Sequence, residues 1–214
     1  MGNKKLITYQ LLCIALMVVL LVLVLRMPDP ETQTNNEPIS TQEVMLAEIH
    51  NRKSVRSFVP QKPVSKEDLT TIVKAGMAAP SAVNKQPWAF IVVTERSVMD
   101  SLKVGLPSAQ MLGEAGAAII VCGDLSKALE SHPDYWIQDC SAATQNMLLA
   151  IESLGLGAVW TGVYPVSERV DFVKKTMKLP ENIIPLNVIP IGYPAGETQP
   201  KDKWKDENVR WNKW

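Results

Sequence analysis

The chain has 214 residues, 46% of them apolar, enough for one compact domain with a sizeable core and a further segment. Its 22 basic and 22 acidic side chains cancel, which excludes a general pull towards nucleic acid; any bound anion must meet a local cluster of cations. Three cysteines without a Cys-x-x-Cys spacing, and two histidines far apart at His50 and His132, argue against a disulfide framework or a zinc site.

Residues 1–5 carry Lys4 and Lys5, and Leu6 to Leu25 is uncharged. A helix of that length spans about 30 Å, the thickness of a bilayer's hydrocarbon core. The run ends in Leu-Val-Leu-Arg, without small residues for a cleavage site, so 6–26 reads as a single-pass transmembrane anchor or uncleaved signal. The positive charge ahead of it leaves the N-terminus cytoplasmic and the rest of the chain extracytoplasmic. Residues 27–41 hold Pro28, Pro30 and Pro38 among polar side chains and read as a flexible linker. The folded domain is then 42–214.

A first helix is expected from Thr41 to near Asn51, with Met45, Leu46 and Ile49 towards the core. Ser65 and Asp68 have the spacing of a capping box. Leu69, Ile72, Val73 and Met77 follow at helical spacing, and Pro80 stops that helix. Strands are expected at 88–94, 115–122, 158–161 and 185–193, and helices at 97–104, 135–154 and 167–178. The 135–154 helix is apolar nearly all round, which places it centrally or at a subunit interface. Cys122 and Cys140 read as small apolar packers. Alternating short strands and helices imply an α/β or α+β class, with a mixed sheet covered by helices. The polar stretch 197–214 carries Trp204, Trp211 and Trp214 and must lie over the body or over a partner subunit.

Four segments carry chemistry. Arg52-Lys53-Ser54-Val55-Arg56 puts three cations and a hydroxyl within five residues, donors suited to a phosphate or a ring carbonyl. Ala79-Pro80-Ser81-Ala82-Val83-Asn84-Lys85-Gln86-Pro87-Trp88 is a stiff loop offering amides and a hydroxyl to a flat heterocycle. Gly155-Leu156-Gly157 and Trp160-Thr161-Gly162 allow close backbone approach. Lys201-Asp202-Lys203 adds late cations. Gly-x-Gly-x-x-Gly, Walker and Gly-x-Ser-x-Gly motifs are missing from the sequence, so a dinucleotide fold is not indicated.

Taken in this order, with Gln138-Asp139, Ala142, Gln145 and Asn146 between them, these segments resemble the FMN-dependent nitroreductase family from about Glu48 to the C-terminus. The resemblance implies an α+β fold (an α/β sandwich) with a mixed β-sheet flanked by helices, an intertwined homodimer, and FMN at the dimer interface. It places Arg52, Lys53 and Ser54 on the phosphate and ribityl chain, and Arg56 at the N1/O2 edge of the ring. Pro80, Ser81 and Asn84 would line the cofactor from the other subunit. Gly162, with Trp160 and Thr161, would approach N5, and Lys201 and Lys203 would close on the phosphate. The implied activity is FMN-dependent NAD(P)H oxidoreduction of nitroaromatic, quinone or similar conjugated acceptors, by ping-pong hydride transfer through N5. No side chain stands out as a general acid. A small lid is expected from Leu106 to Gly113 and Ser131 to Trp136. Three rivals stand beside this reading: another reaction on the same fold, such as reductive dehalogenation or flavin destruction, a membrane-anchored flavin-binding or scaffolding protein without turnover, and a plain transmembrane interaction protein.

Overall fold

The computed structural model describes residues 15–18, 20, 21 and 41–214. Strand β2 (Ala117–Asp124) is its axis, and all eight of its residues are buried. It pairs antiparallel with β1 (Trp88–Val93) on one side and β5 (Ile183–Gly192) on the other. The far edge of β5 carries β3 (Gly157–Ala158) and β4 (Thr161–Gly162), also antiparallel. In register, the ladder lapses opposite Ile189 and Pro190, and Pro190 has no N–H to donate. The single strand expected at 158–161 is therefore two short ones. Pro185 sits beside an irregularity in the β2–β5 register, a position where a strand tolerates proline.

Alternation along β2 separates two cores. Ala117, Ile119 and Val121 face α2 (Lys66–Met77) and α4 (Tyr135–Ser153), packing on Leu69, Ile72, Met147 and Ile151. Ala118, Ile120 and Cys122 join Met99 and Leu102 of α3 (Arg96–Gly105) and Val173 of α5 (Ser167–Met177). The result is the expected α+β arrangement, a sheet with helices on both faces, and every pairing among the described strands is antiparallel. Ser65 caps α2 by accepting from the Asp68 N–H at 3.0 Å and donating to the Asp68 carboxylate at 2.7 Å. Burial pushes both Cys122 and Cys140 thiols up to about 12, which suits packing rather than nucleophilic chemistry. Cys13 lies outside the described residues.

Helix α1 (Thr41–Asn51) departs from expectation: Leu46 and Ile49 are exposed within the protomer. The helix lies against the outer side of α4, where Glu48 and Ile49 border a groove with Leu149 and Ala150.

The membrane location is corrected. No helix among the described residues is long and apolar enough to cross a membrane. Of the run 6–26, residues 15–18, 20 and 21 are described, helical and exposed. The rest of that run, residues 1–5 and residues 27–40 lie outside the described residues.

Candidate functional site

The basic loop after α1 is held by its apolar members. Val55 and Phe58 are buried, at 2% and 1% exposure, which turns the intervening polar residues outward. The Val55 N–H donates to the Ala158 carbonyl at 2.9 Å. Gly157 makes this seat possible: a Cβ there would stand 2.7 Å from the Val55 Cβ and 2.8 Å from its Cγ1. On the other side, the Val59 N–H donates to the Tyr193 carbonyl at 2.8 Å and the Ala195 N–H to the Ser57 carbonyl at 3.1 Å. The loop is stitched to the end of β5, and so to the chain that continues towards Lys201.

The two segments enclose a cavity of about 320 Å³ lined by Arg52, Lys53, Ser54, Arg56, Thr198, Gln199, Lys201 and Lys203. Five of these are cations and none is a carboxylate. Lys53 is paired with Glu152 in the last turn of α4. A cavity of about 710 Å³ shares Arg52, Lys201 and Lys203 and adds His50, Gln145, Trp204 and one carboxylate, Asp202. Convergent guanidinium, ammonium and hydroxyl donors are the set a phosphate monoester binds, so these residues fit the phosphate end of FMN.

The proline-framed loop is built differently. Val83, Asn84 and Gln86 have φ of +48°, +55° and +50°. That region is unfavourable for side-chain-bearing residues, most of all for β-branched valine. Ser81 Oγ accepts from the Gln86 N–H at 3.0 Å, and Gln86 Nε2 donates to Asn84 Oδ1 at 2.8 Å. The Ala82 N–H donates to Asp139 Oδ1 of α4 at 2.9 Å. Pro80, Asn84 and the 78%-exposed Val83 lie at the surface.

The glycine-rich segment divides its tasks. Gly155 has φ +69° and ends α4. Gly157 admits Val55, as above. A Cβ on Gly162 would meet nothing within 4 Å, so open space lies in front of it. Its carbonyl accepts from Arg169 at 3.0 Å. Trp160 is 36% exposed, whereas Thr161 is buried and its hydroxyl donates to the Val188 carbonyl at 2.6 Å.

Of the residues expected from the sequence, Arg52, Lys53, Ser54, Arg56, Lys201 and Lys203 share one cavity; Pro80, Ser81, Asn84, Trp160, Thr161 and Gly162 do not line it. Thr198, Gln199, Glu152 and Arg169 were not singled out, because each gains its place through a contact distant in sequence or through an undistinguished polar tail. Of the two expected lid segments the first is corrected, whereas Ser131 to Tyr135 of the second are exposed. Leu106, Ala109 and Leu112 are core residues, and Arg96 donates to the Leu112 and Ala115 carbonyls. Trp136 is buried edge-on to Tyr164, with ring centroids 5.1 Å apart.

Residues 49–193 match the profile of the nitroreductase family. A crystal structure from Parabacteroides distasonis ATCC 8503, provisionally named an NADH dehydrogenase/NAD(P)H nitroreductase, is 50% identical, covering 80% of this chain and 99% of its own, with a TM-score of 0.76. A Methanothermobacter thermautotrophicus protein with the same provisional name is 43% identical over 176 residues, 82% of this chain and 90% of the relative. A provisionally named nitroreductase from Desulfovibrio desulfuricans, solved in complex with FMN, is 28% identical over 79% of this chain and 97% of its own, with a TM-score of 0.67. The cation-lined cavity thus sits in a chain that belongs to the nitroreductase family.

Proposed function

We propose that the chain is an FMN-dependent NAD(P)H oxidoreductase whose catalytic body is 42–214 and whose working form is a homodimer. The observation that carries this reading is the cavity into which Arg52, Lys53, Arg56, Lys201 and Lys203 converge without a carboxylate. Family membership and the FMN-bound relative support it. When bound, FMN supplies the ring that accepts hydride from NAD(P)H and passes reducing equivalents to an acceptor. Arg52, Ser54, Lys201 and Lys203 hold the phosphate. Lys53 adds to that site while neutralising Glu152. Arg56 offsets negative charge at the N1/O2 edge. Pro80, Ser81 and Asn84 line the ring from the second subunit. Gly162, bare of a side chain, lets the backbone approach N5, with Trp160 and Thr161 alongside. The acceptors that suit a flat, open site are nitroaromatics, quinones or similar conjugated molecules. Exposed Val44, Leu46 and Ile49 on α1 and exposed Trp204, Trp211 and Trp214 supply apolar surface for a second copy.

The test is the absorption spectrum of the purified full chain, with its mass in solution. The expected result is a dimer with one flavin per protomer, bleached by anaerobic NADH or NADPH and recoloured by a quinone or nitroarene. A colourless monomer indifferent to added FMN would sink the reading.

A further inference from the structure

Asp139 belongs to the motif on α4 that the site as described leaves without a task. It is 5% exposed, so its carboxylate is in the protein interior. Oδ1 accepts the Ala82 N–H at 2.9 Å, and Oδ2 is buried without a partner among the described residues. Ala82 opens the short 3-10 turn Ala82–Asn84, whose first N–H needs an acceptor from outside the turn. Ser81, the residue before it, makes no side-chain cap to that turn. Its hydroxyl is engaged instead at the far end of the loop, by the Gln86 N–H. The loop therefore closes on itself through Ser81 and Asn84, and the Asp139 carboxylate is the side chain that ties its opening turn to the body.

The tie matters because of what it restrains. Three non-glycine residues of this loop stand at positive φ. Such a conformation persists only where surrounding contacts over-determine it. The loop's own side-chain bonds, Gln86 to Ser81 and Gln86 to Asn84, keep its ends together; its far end is held to the sheet by buried Pro87, whose carbonyl accepts from the Asp124 N–H at 2.6 Å, but these bonds do not hold its opening turn to the body. Without an acceptor for the Ala82 N–H, the loop can relax and carry Ser81 and Asn84 with it.

We infer that Asp139 is a positioning residue for the flavin ring: it acts through the Ala82 N–H to hold the 81–86 loop in the conformation that presents Ser81 and Asn84. The inference rests on the FMN reading of the site. It makes the two halves of the cofactor site separable, since Asp139 does not line the cationic cavity.

The experiment compares the full-length protein with Asp139→Ala and Asp139→Asn. Asparagine keeps an oxygen that can accept the Ala82 N–H; alanine does not. Asp139→Ala should raise the Kd for FMN about tenfold, the scale of one lost charge-assisted bond. It should also shift the visible bands of the bound flavin. Asp139→Asn should stay within about threefold of the parent, with the parent's spectrum. Inorganic phosphate should inhibit FMN binding with the same inhibition constant in all three, because the cationic cavity is untouched. Equal FMN affinity in parent and Asp139→Ala overturns the inference, as does an asparagine variant as weak as alanine. A parent that does not bind FMN defeats the functional reading instead. In that case hydrogen exchange at the Ala82 amide decides the tie: slow in parent and Asp139→Asn, fast in Asp139→Ala if the tie holds, and equal in all three if it does not.

Discussion

Two loops carry half of the proposed cofactor contacts, and they are held in opposite ways. Arg52 to Phe58 is anchored by burial: Val55 and Phe58 sit in the interior, backbone bonds join the loop to β3 and to the end of β5, and Gly157 gives Val55 its seat. Ser81 to Pro87 has an exposed valine at its tip, three residues at positive φ, and polar bonds as its restraints. The first loop is proposed to meet a phosphate, whose charge tolerates small displacements. The second is proposed to meet a flat ring, where a displaced donor misses its acceptor. Hydrophobic anchoring gives strength without direction; hydrogen bonds and constrained dihedrals give direction with little strength.

Breaking the first loop should have the largest effect. Gly157→Val drives a side chain into the space of Val55, against contacts that are already 2.7 to 2.9 Å from a bare Cβ. Stability should fall by about 3 kcal/mol, the upper end for overpacking, read by urea unfolding. FMN binding should fail with it. A variant as stable as the parent would show that this contact does not hold the loop.

The next effect separates charge from anchoring. Lys201→Ala with Lys203→Ala removes two cavity cations that make no ion pair among the described residues. The Kd for FMN should rise about 100-fold, from roughly 1.5 kcal/mol for each charge-assisted bond. Stability without FMN should not change, and riboflavin, which lacks the phosphate, should bind as it does to the parent. An equal loss for riboflavin would place the two lysines away from the phosphate.

The smallest effect tests the second loop. Val83→Gly removes a β-branched residue from φ +48°. Relief of about 1–2 kcal/mol is offset by about 0.5–1 kcal/mol of glycine's extra unfolded-state entropy. Thermal unfolding should therefore show a gain of about 0.5 kcal/mol. A loss would mean that the exposed Val83 side chain makes a contact in the assembled protein that outweighs its backbone cost.

The sequence alone was enough to read the element types, because burial on one helix face or on both strand faces leaves a periodicity in the residues themselves. The all-apolar β2, the capped α2 and the long apolar α4 were each visible that way. The chemical identities of the basic loop, the proline-framed loop and the late lysines were also legible, since donors and cations are named by the residues. Geometry was not. That Arg52 to Arg56 meets residues 198–203 depends on Val55 under Gly157 and on the bonds to Tyr193 and Ala195. That Lys53 faces Glu152, 99 residues away, and that Ala82 rests on Asp139, 57 residues away, follows from where α4 packs on the sheet. Leu46 and Ile49 of α1 read as core yet are exposed in the chain, because periodicity says that a face is apolar and not what covers it. Local pattern is written into neighbouring residues and can be read from them; the meeting of distant segments is decided by how buried surfaces fit, which only the folded chain determines.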